Sequence, residues 1–249
     1  MSSTRSNLKL EPFHLRPRPD AELSALFAGG WPAFIEADDV AARHLPTVRA
    51  TFADLEVALL QDDVLVAAGW GVPITWDRTV EGLPDGYSDT LARAVATHEA
   101  STTPNTLVIC AGQVRPDAGR TGLAAALLEG LMETGRAAGL THVVAPLRPT
   151  AKHRCPLTPI EDYASWTRAD GSAFDPWLRT HLRMGARLLG THPTSQTFTG
   201  TVQQWQEWSG LDLPGDGAYI IPDALTPLHI NRAADLGTCI EPTIWVQHP

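Results

Sequence analysis

Apolar and polar residues interleave from Leu8 onward, with Leu8, Leu10, Phe13 and Leu15 predicting a first strand over Leu8 to Arg16. Asp20 stands as a cap before a short helix, Ala21 to Phe27. Val40, His44 and Val48 recur at the spacing of one helix face and predict a helix over Asp39 to Ala50. Two apolar runs, Leu55 to Leu60 and Val64 to Trp76, are separated only by Gln61-Asp62-Asp63 and read as a hairpin. A helix follows over Tyr87 to Ala100, with Ser88 as its cap, and then a β-rich apolar run from Thr106 to Val114. A long Ala/Leu-rich helix runs from about Thr121 to Ala138, and a strand from Thr141 to Leu147. The Pro-rich stretch Arg148 to Asp175 is long for a connection. Inside it, Thr158-Pro-Ile-Glu161 reads as a capped start for a short helix over Pro159 to Thr167. A further helix spans Pro176 to Leu189 and stops near Gly190. The tail holds short strands near Ser195 to Thr201, Gly217 to Ile221 and Cys239 to Val246. No repeat or low-complexity linker interrupts this order, which predicts one domain over residues 1–249.

Thr106 to Leu140 is the stretch that carries chemistry. A strand meets a loop containing Pro116 and Gly119, and a helix starts at once with small residues at Gly122 and Ala124. A helix N-terminus presents unpaired N–H groups and the positive end of a dipole. Without bulky side chains there, a diphosphate can lie against the backbone. A P-loop would need GxxxxGK[ST]; Gly112 to Gly119 is two residues too long, and Arg120 stands in place of Lys. A dinucleotide fingerprint would need GxGxxG, and Gly119-Arg-Thr-Gly122-Leu-Ala124 lacks the first Gly pair. A plain strand-to-helix turn with a glycine hinge is the remaining non-binding alternative.

Val114-x-Pro116-Asp117-Ala-Gly119-Arg120-Thr121-Gly122-Leu123-Ala124 resembles motif A of the GNAT superfamily of acyl-CoA-dependent N-acetyltransferases. That motif reads [Q/R]xxGx[G/A] after a Val-x-Pro strand end. Gly122 and Ala124 match it, whereas Gly119 replaces the Gln or Arg, so that either the pyrophosphate grip is weaker or Arg120 supplies the charge from the next position. The resemblance covers roughly residues 8–201 and implies an α/β, layered α+β fold. Its central sheet would be mixed and mostly antiparallel, with splayed strands flanked by helices, and residues from about 202 to 249 would be a C-terminal extension. It also implies that acetyl-CoA or another acyl-CoA is held by Val114, Gly119, Arg120, Thr121, Gly122, Leu123 and Ala124. The thioester would then lie where two central strands part.

Asp175-Pro-Trp-Leu-Arg-Thr-His181-Leu-Arg-Met-Gly185-Ala is similar to the last core helix of that family, which usually ends Tyr-x-x-x-Gly-Phe. His181 stands where the Tyr protonates the departing thiolate. An imidazolium, with an ordinary pKa near 6.5, can protonate a thiolate of pKa about 8.5; a structural histidine is the alternative. A base for the attacking amine is harder to name. The motif A strand offers Cys110 and Gln113 but no carboxylate, which leaves Glu161, Asp162, Glu99 and Glu241, with Glu161 the chosen candidate. Lys152, His153 and Arg154 form a local basic cluster, either for the 3′-phosphate of CoA or an acidic group on the acceptor, or as ordinary loop charges.

Composition narrows the class. The formal net charge of −9 argues against nucleic-acid binding. No run approaches the roughly 20 apolar residues of a membrane span, and the N-terminus lacks the apolar core of a secretory signal. Three scattered cysteines (Cys110, Cys155, Cys239) form no CxxC pair, so neither a zinc site nor a disulfide framework is expected, and a cytoplasmic protein without a metal is. Eight tryptophans suggest a sizeable apolar acceptor cavity. The expected function is N-acyl transfer from acyl-CoA to the amine of a small molecule, by direct attack through a tetrahedral intermediate. The partner is that amine, with no nucleic acid or membrane, and a homodimer is compatible. The alternative is a GNAT-like protein without amine transfer, either an acyl-CoA decarboxylase-like enzyme or a non-catalytic acyl-CoA-binding module.

Overall fold

The computed structural model describes residues 8–28, 31–118 and 122–249. Its strands build one nine-stranded sheet. β1 (Leu8–Pro12), β2 (Glu56–Gln61), β3 (Val64–Ile74) and β4 (Thr106–Val114) run as an antiparallel meander. β4 and β5 (His142–Leu147) are parallel, joined by the crossover helix α4 (Leu123–Ala137). The sheet is therefore mixed and mostly antiparallel, as expected.

Alternation along the central strands explains its two covered faces. Leu107, Ile109, Val143 and Ala145 face one way and pack with Leu127, Leu128 and Leu131 of α4. Val108, Cys110 and Val144 face the other way, into a core shared with α2 (Asp39–Thr51) and α3 (Tyr87–Glu99) through Val48, Leu91 and Val95. α1 (Asp20–Phe27) and the short α5 (Ile160–Ser165) flank these layers.

Several boundaries differ from the sequence reading. α2 is capped by Asp38, whose carboxylate accepts the Val40 and Ala41 N–H groups at 3.0 and 2.9 Å. The side chain of Ser88 does not cap α3; its hydroxyl donates to Asp38 instead. α6 (Pro176–Arg183) is shorter than expected because Gly185 adopts φ 86° and the chain turns at once into β6 (Arg187–Gly200). β6 thus begins eight residues before the expected Ser195. α7 (Val202–Ser209) and β8 (Leu228–Asn231) were not expected, whereas β7 (Gly217–Tyr219) was. β9 (Leu236–His248) pairs with β5 along Ile244–His248 and with β6 along most of its length. The stretch after residue 202 therefore supplies an interior strand of the sheet rather than only a trailing extension.

Candidate active site

The site originates in a failure of pairing. β4 and β5 are bonded only where Thr106–Val108 meets His142–Val144. Beyond that point β4 stays with β3, and β5 with β9, so the two parallel strands part. A bulge leaves Cys110 as an extra residue between Ile109 and Ala111 on β4, at the start of this gap. The opening leads into a cavity of about 930 Å³, walled by Ile109 to Val114 of β4 and Ala145 to Leu147 of β5. Trp31, Trp70 and Trp177 add apolar surface.

Another wall of the cavity is shaped by an irregularity between β6 and β9. Their register jumps from His192↔Thr243 to Gln196↔Glu241, so that residues 193–195 oppose Pro242 alone. This excursion carries Ser195 and Gln196 into the cavity wall. Ser195 Oγ accepts the Tyr87 N–H at 2.9 Å, and Ser195 crowds Gly86 so closely that a Cβ there would collide with it. Gly86 is a glycine because the two backbones touch.

Four carboxylates line the cavity (Glu36, Asp38, Glu56, Glu241) against two guanidiniums (Arg49, Arg148). Both guanidiniums are already engaged. Arg49 binds Glu56 at 2.6 Å and lies over the Trp70 ring. Arg148 holds Glu241 through two bonds, at 2.6 and 2.9 Å. Asp38 is 2% exposed, and its carboxylate meets only neutral donors: two backbone N–H groups, the Ser88 hydroxyl and, at 3.4 Å, the Gln196 amide. A cavity with this balance favours a cation.

His181 is completely buried on α6 and lines the same cavity. Its Nδ1 lies 2.8 Å from Nε2 of His248, on β9, and its ring stands edge-on to Trp177. Burial, and secondarily a positive charge on His248, push the His181 pKa down to about 3. Burial, and then Arg136, push His248 down to about 4. The resting pair is neutral at physiological pH. The unfolded chain binds these protons below about pH 6.5, whereas the folded one does not until about pH 3 to 4. Stability therefore falls as pH drops through this window, by up to about 1.4 kcal/mol per pH unit for each histidine. Urea midpoints at pH 7 and pH 5 will show a larger drop for the native chain than for a His181→Gln/His248→Gln variant.

No family model matches the chain. It is 29% identical over 260 residues to the arginine N-acetyltransferase avaD of Aspergillus versicolor, covering 93% of this chain and 88% of that protein. Two solved structures share its fold. The loading GNATL domain of CurA from Lyngbya majuscula superposes with a TM-score of 0.54 at 16% identity, over 97% of each chain. The GphF GNAT-like decarboxylase in complex with isobutyryl-CoA gives the same TM-score at 19% identity, over 97% of this chain and 98% of that one. The chain has the GNAT fold.

The residues that resemble GNAT motif A can now be placed. Val114 and Ala124 line the cavity. Gly122 precedes α4 at φ 96°, and a Cβ there would meet nothing within 4 Å. Among the described residues no side chain caps the first N–H groups of α4. Leu123 turns its side chain into the core. Gly119, Arg120 and Thr121 lie outside the described residues. Glu161 is not brought to the cavity: it is exposed on α5, and its one hydrogen bond is from the Thr191 hydroxyl at 3.4 Å. The basic cluster also separates, because Lys152 is fully buried and its ammonium donates to the carbonyls of Cys155 and Leu225. Burial holds its pKa down. Cys110 and Tyr87 line the cavity, but burial pushes both pKa values up, so each keeps its proton. Asp38, Gln196 and His248 were missed. The acidic Asp38-Asp39 pair was the only local sign, and it points to a helix start as readily as to a ligand. Among the described residues no group of three or more metal-ligating side chains occurs, and no helix is long and apolar enough to cross a membrane.

Proposed function

We propose that this chain transfers an acetyl or other short acyl group from acyl-CoA to the amine of a small cationic molecule, by direct attack through a tetrahedral intermediate. The observation that carries this reading is the cavity's charge. Glu36 and Asp38 have no cationic partner among the described residues, at the end of a pocket that begins where β4 and β5 part. The curated relative's name, an arginine N-acetyltransferase, agrees with an acceptor that is both an amine and a cation.

Val114 and Ala124 line the same cavity, so the start of α4 would face the diphosphate with backbone N–H groups, and the thioester would extend along β4 into the gap. His181 stands at the wall of that gap and is the group placed to protonate the departing sulfur. A cytoplasmic setting goes with this reading.

Gly122→Asp tests the donor site. The new side chain would stand at positive φ and set a negative charge against the phosphates. CoA affinity measured by calorimetry is expected to fall about tenfold or more, equivalent to about 1.4 kcal/mol. An unchanged affinity in a folded variant would remove the diphosphate from α4. The acceptor class is tested by initial rates with amines of matched size carrying a second cationic group, no second charge, or a carboxylate. The dicationic series should show the lowest KM, and a preference for anionic amines would overturn the reading.

A further inference from the structure

His181 and His248 are 67 residues apart in sequence and meet because β9 lies alongside the end of α6. Together they form a neutral pair sharing one proton. Both outer nitrogens, His181 Nε2 and His248 Nδ1, are buried without a partner among the described residues. Two states are open to such a pair. If His248 donates, His181 carries its remaining proton on Nε2; if His181 donates from Nδ1, its Nε2 is a lone pair. His181 is the member that lines the cavity, and its Nε2 has no partner among the described residues. Arg136 bears on His248 and disfavours a net charge on the pair, which keeps the shared proton single.

We propose that His248 is a positioning residue that accepts the Nδ1 proton of His181 and so presents Nε2 as a base to the acceptor amine, making one imidazole both the base and the acid of the reaction. This rests on the acyl-transfer reading above. The neutral amine attacks the thioester carbonyl, forming the C–N bond and leaving a positive nitrogen and an oxyanion. His181 Nε2 takes one proton from that nitrogen. The carbonyl reforms, the C–S bond breaks with its electron pair on sulfur, and the same imidazolium returns the proton to sulfur. The products are amide and thiol, and the histidine pair is restored. An acceptor arriving as ammonium first gives one proton to solvent. No separate carboxylate base is required, in keeping with the absence of one on β4 and the exposed position of Glu161.

The test combines a tautomer measurement with kinetics on the full chain. Long-range proton–nitrogen NMR on the ¹⁵N-histidine-labelled protein, with His181 assigned by its loss in His181→Gln, should show Nδ1 protonated and Nε2 bare. Finding Nε2 protonated in the native protein overturns the proposal. His248→Leu should lower kcat about tenfold or more, as expected when an orienting partner is lost, with the KM for acyl-CoA unchanged. His248→Gln, whose carbonyl can accept the Nδ1 proton, should recover most of the rate. A His248→Leu enzyme with native kcat, or a His248→Gln enzyme as slow as His248→Leu, contradicts the assignment. If the native enzyme acylates no amine, the acyl-transfer reading fails by itself, and the NMR tautomer still decides the pairing.

Discussion

His181→Ala is expected to lower kcat about 100-fold while leaving acyl-CoA binding nearly intact. The magnitude is that of losing one positioned proton-transfer group, equivalent to about 2.7 kcal/mol in the transition state. The side chain is completely buried, so the variant also leaves a small cavity beside Trp177 and an unpaired Nε2 on His248. That defect should appear in the urea midpoint, where it can be separated from the kinetic effect. The distinguishing quantity is the ratio: kcat and kcat/KM for acyl-CoA should fall together. A folded His181→Ala enzyme with near-native kcat would make the residue structural and leave the acid to solvent or another side chain.

Asp38→Asn should raise the KM for a cationic acceptor about tenfold or more, with little change in the KM for acyl-CoA. Asn caps a helix about as well as Asp, so the Val40 and Ala41 N–H groups of α2 keep their acceptor. The Ser88 hydroxyl and the Gln196 amide can rotate to face the new amide. The substitution therefore removes the charge and spares the fold. Losing a buried carboxylate opposite a bound cation costs about 1.4 kcal/mol or more, hence the tenfold change. For a neutral amine of the same size the effect should largely vanish. Equal losses for cationic and neutral acceptors would mean that Asp38 acts only as the α2 cap.

The fold was largely legible because its central elements are written locally. The apolar run Thr106 to Val114, the Ala/Leu-rich α4 and the β2–β3 hairpin each declare themselves within a dozen residues. The tail was less legible. β9 alternates only weakly, and its place between β5 and β6 depends on partners about 50 and 100 residues away. The interior position of that strand also decides the site, since it brings His248 to His181 and Glu241 to Arg148. Neither pair has a sequence signal of its own. The spacing to Gly185 singles out His181, but its neutral state is not legible there, because desolvation and a second histidine are properties of packing. Glu161 shows the converse. A carboxylate in the insert looks available for base chemistry, yet nothing local says that α5 holds it on the surface. The Ser195–Gln196 wall arises from a register jump against Pro242, which only the paired strand reveals.

The measurement closest to the central claim is release of free thiol from acetyl-CoA by the native chain, followed with and without small cationic amines, with the products weighed by mass spectrometry. Acyl transfer predicts thiol release that requires the amine, and an amine product heavier by one acetyl group. Thiol release or decarboxylation of a carboxylated acyl-CoA at full rate without any amine, or tight acyl-CoA binding with no turnover across the amine series, would contradict it.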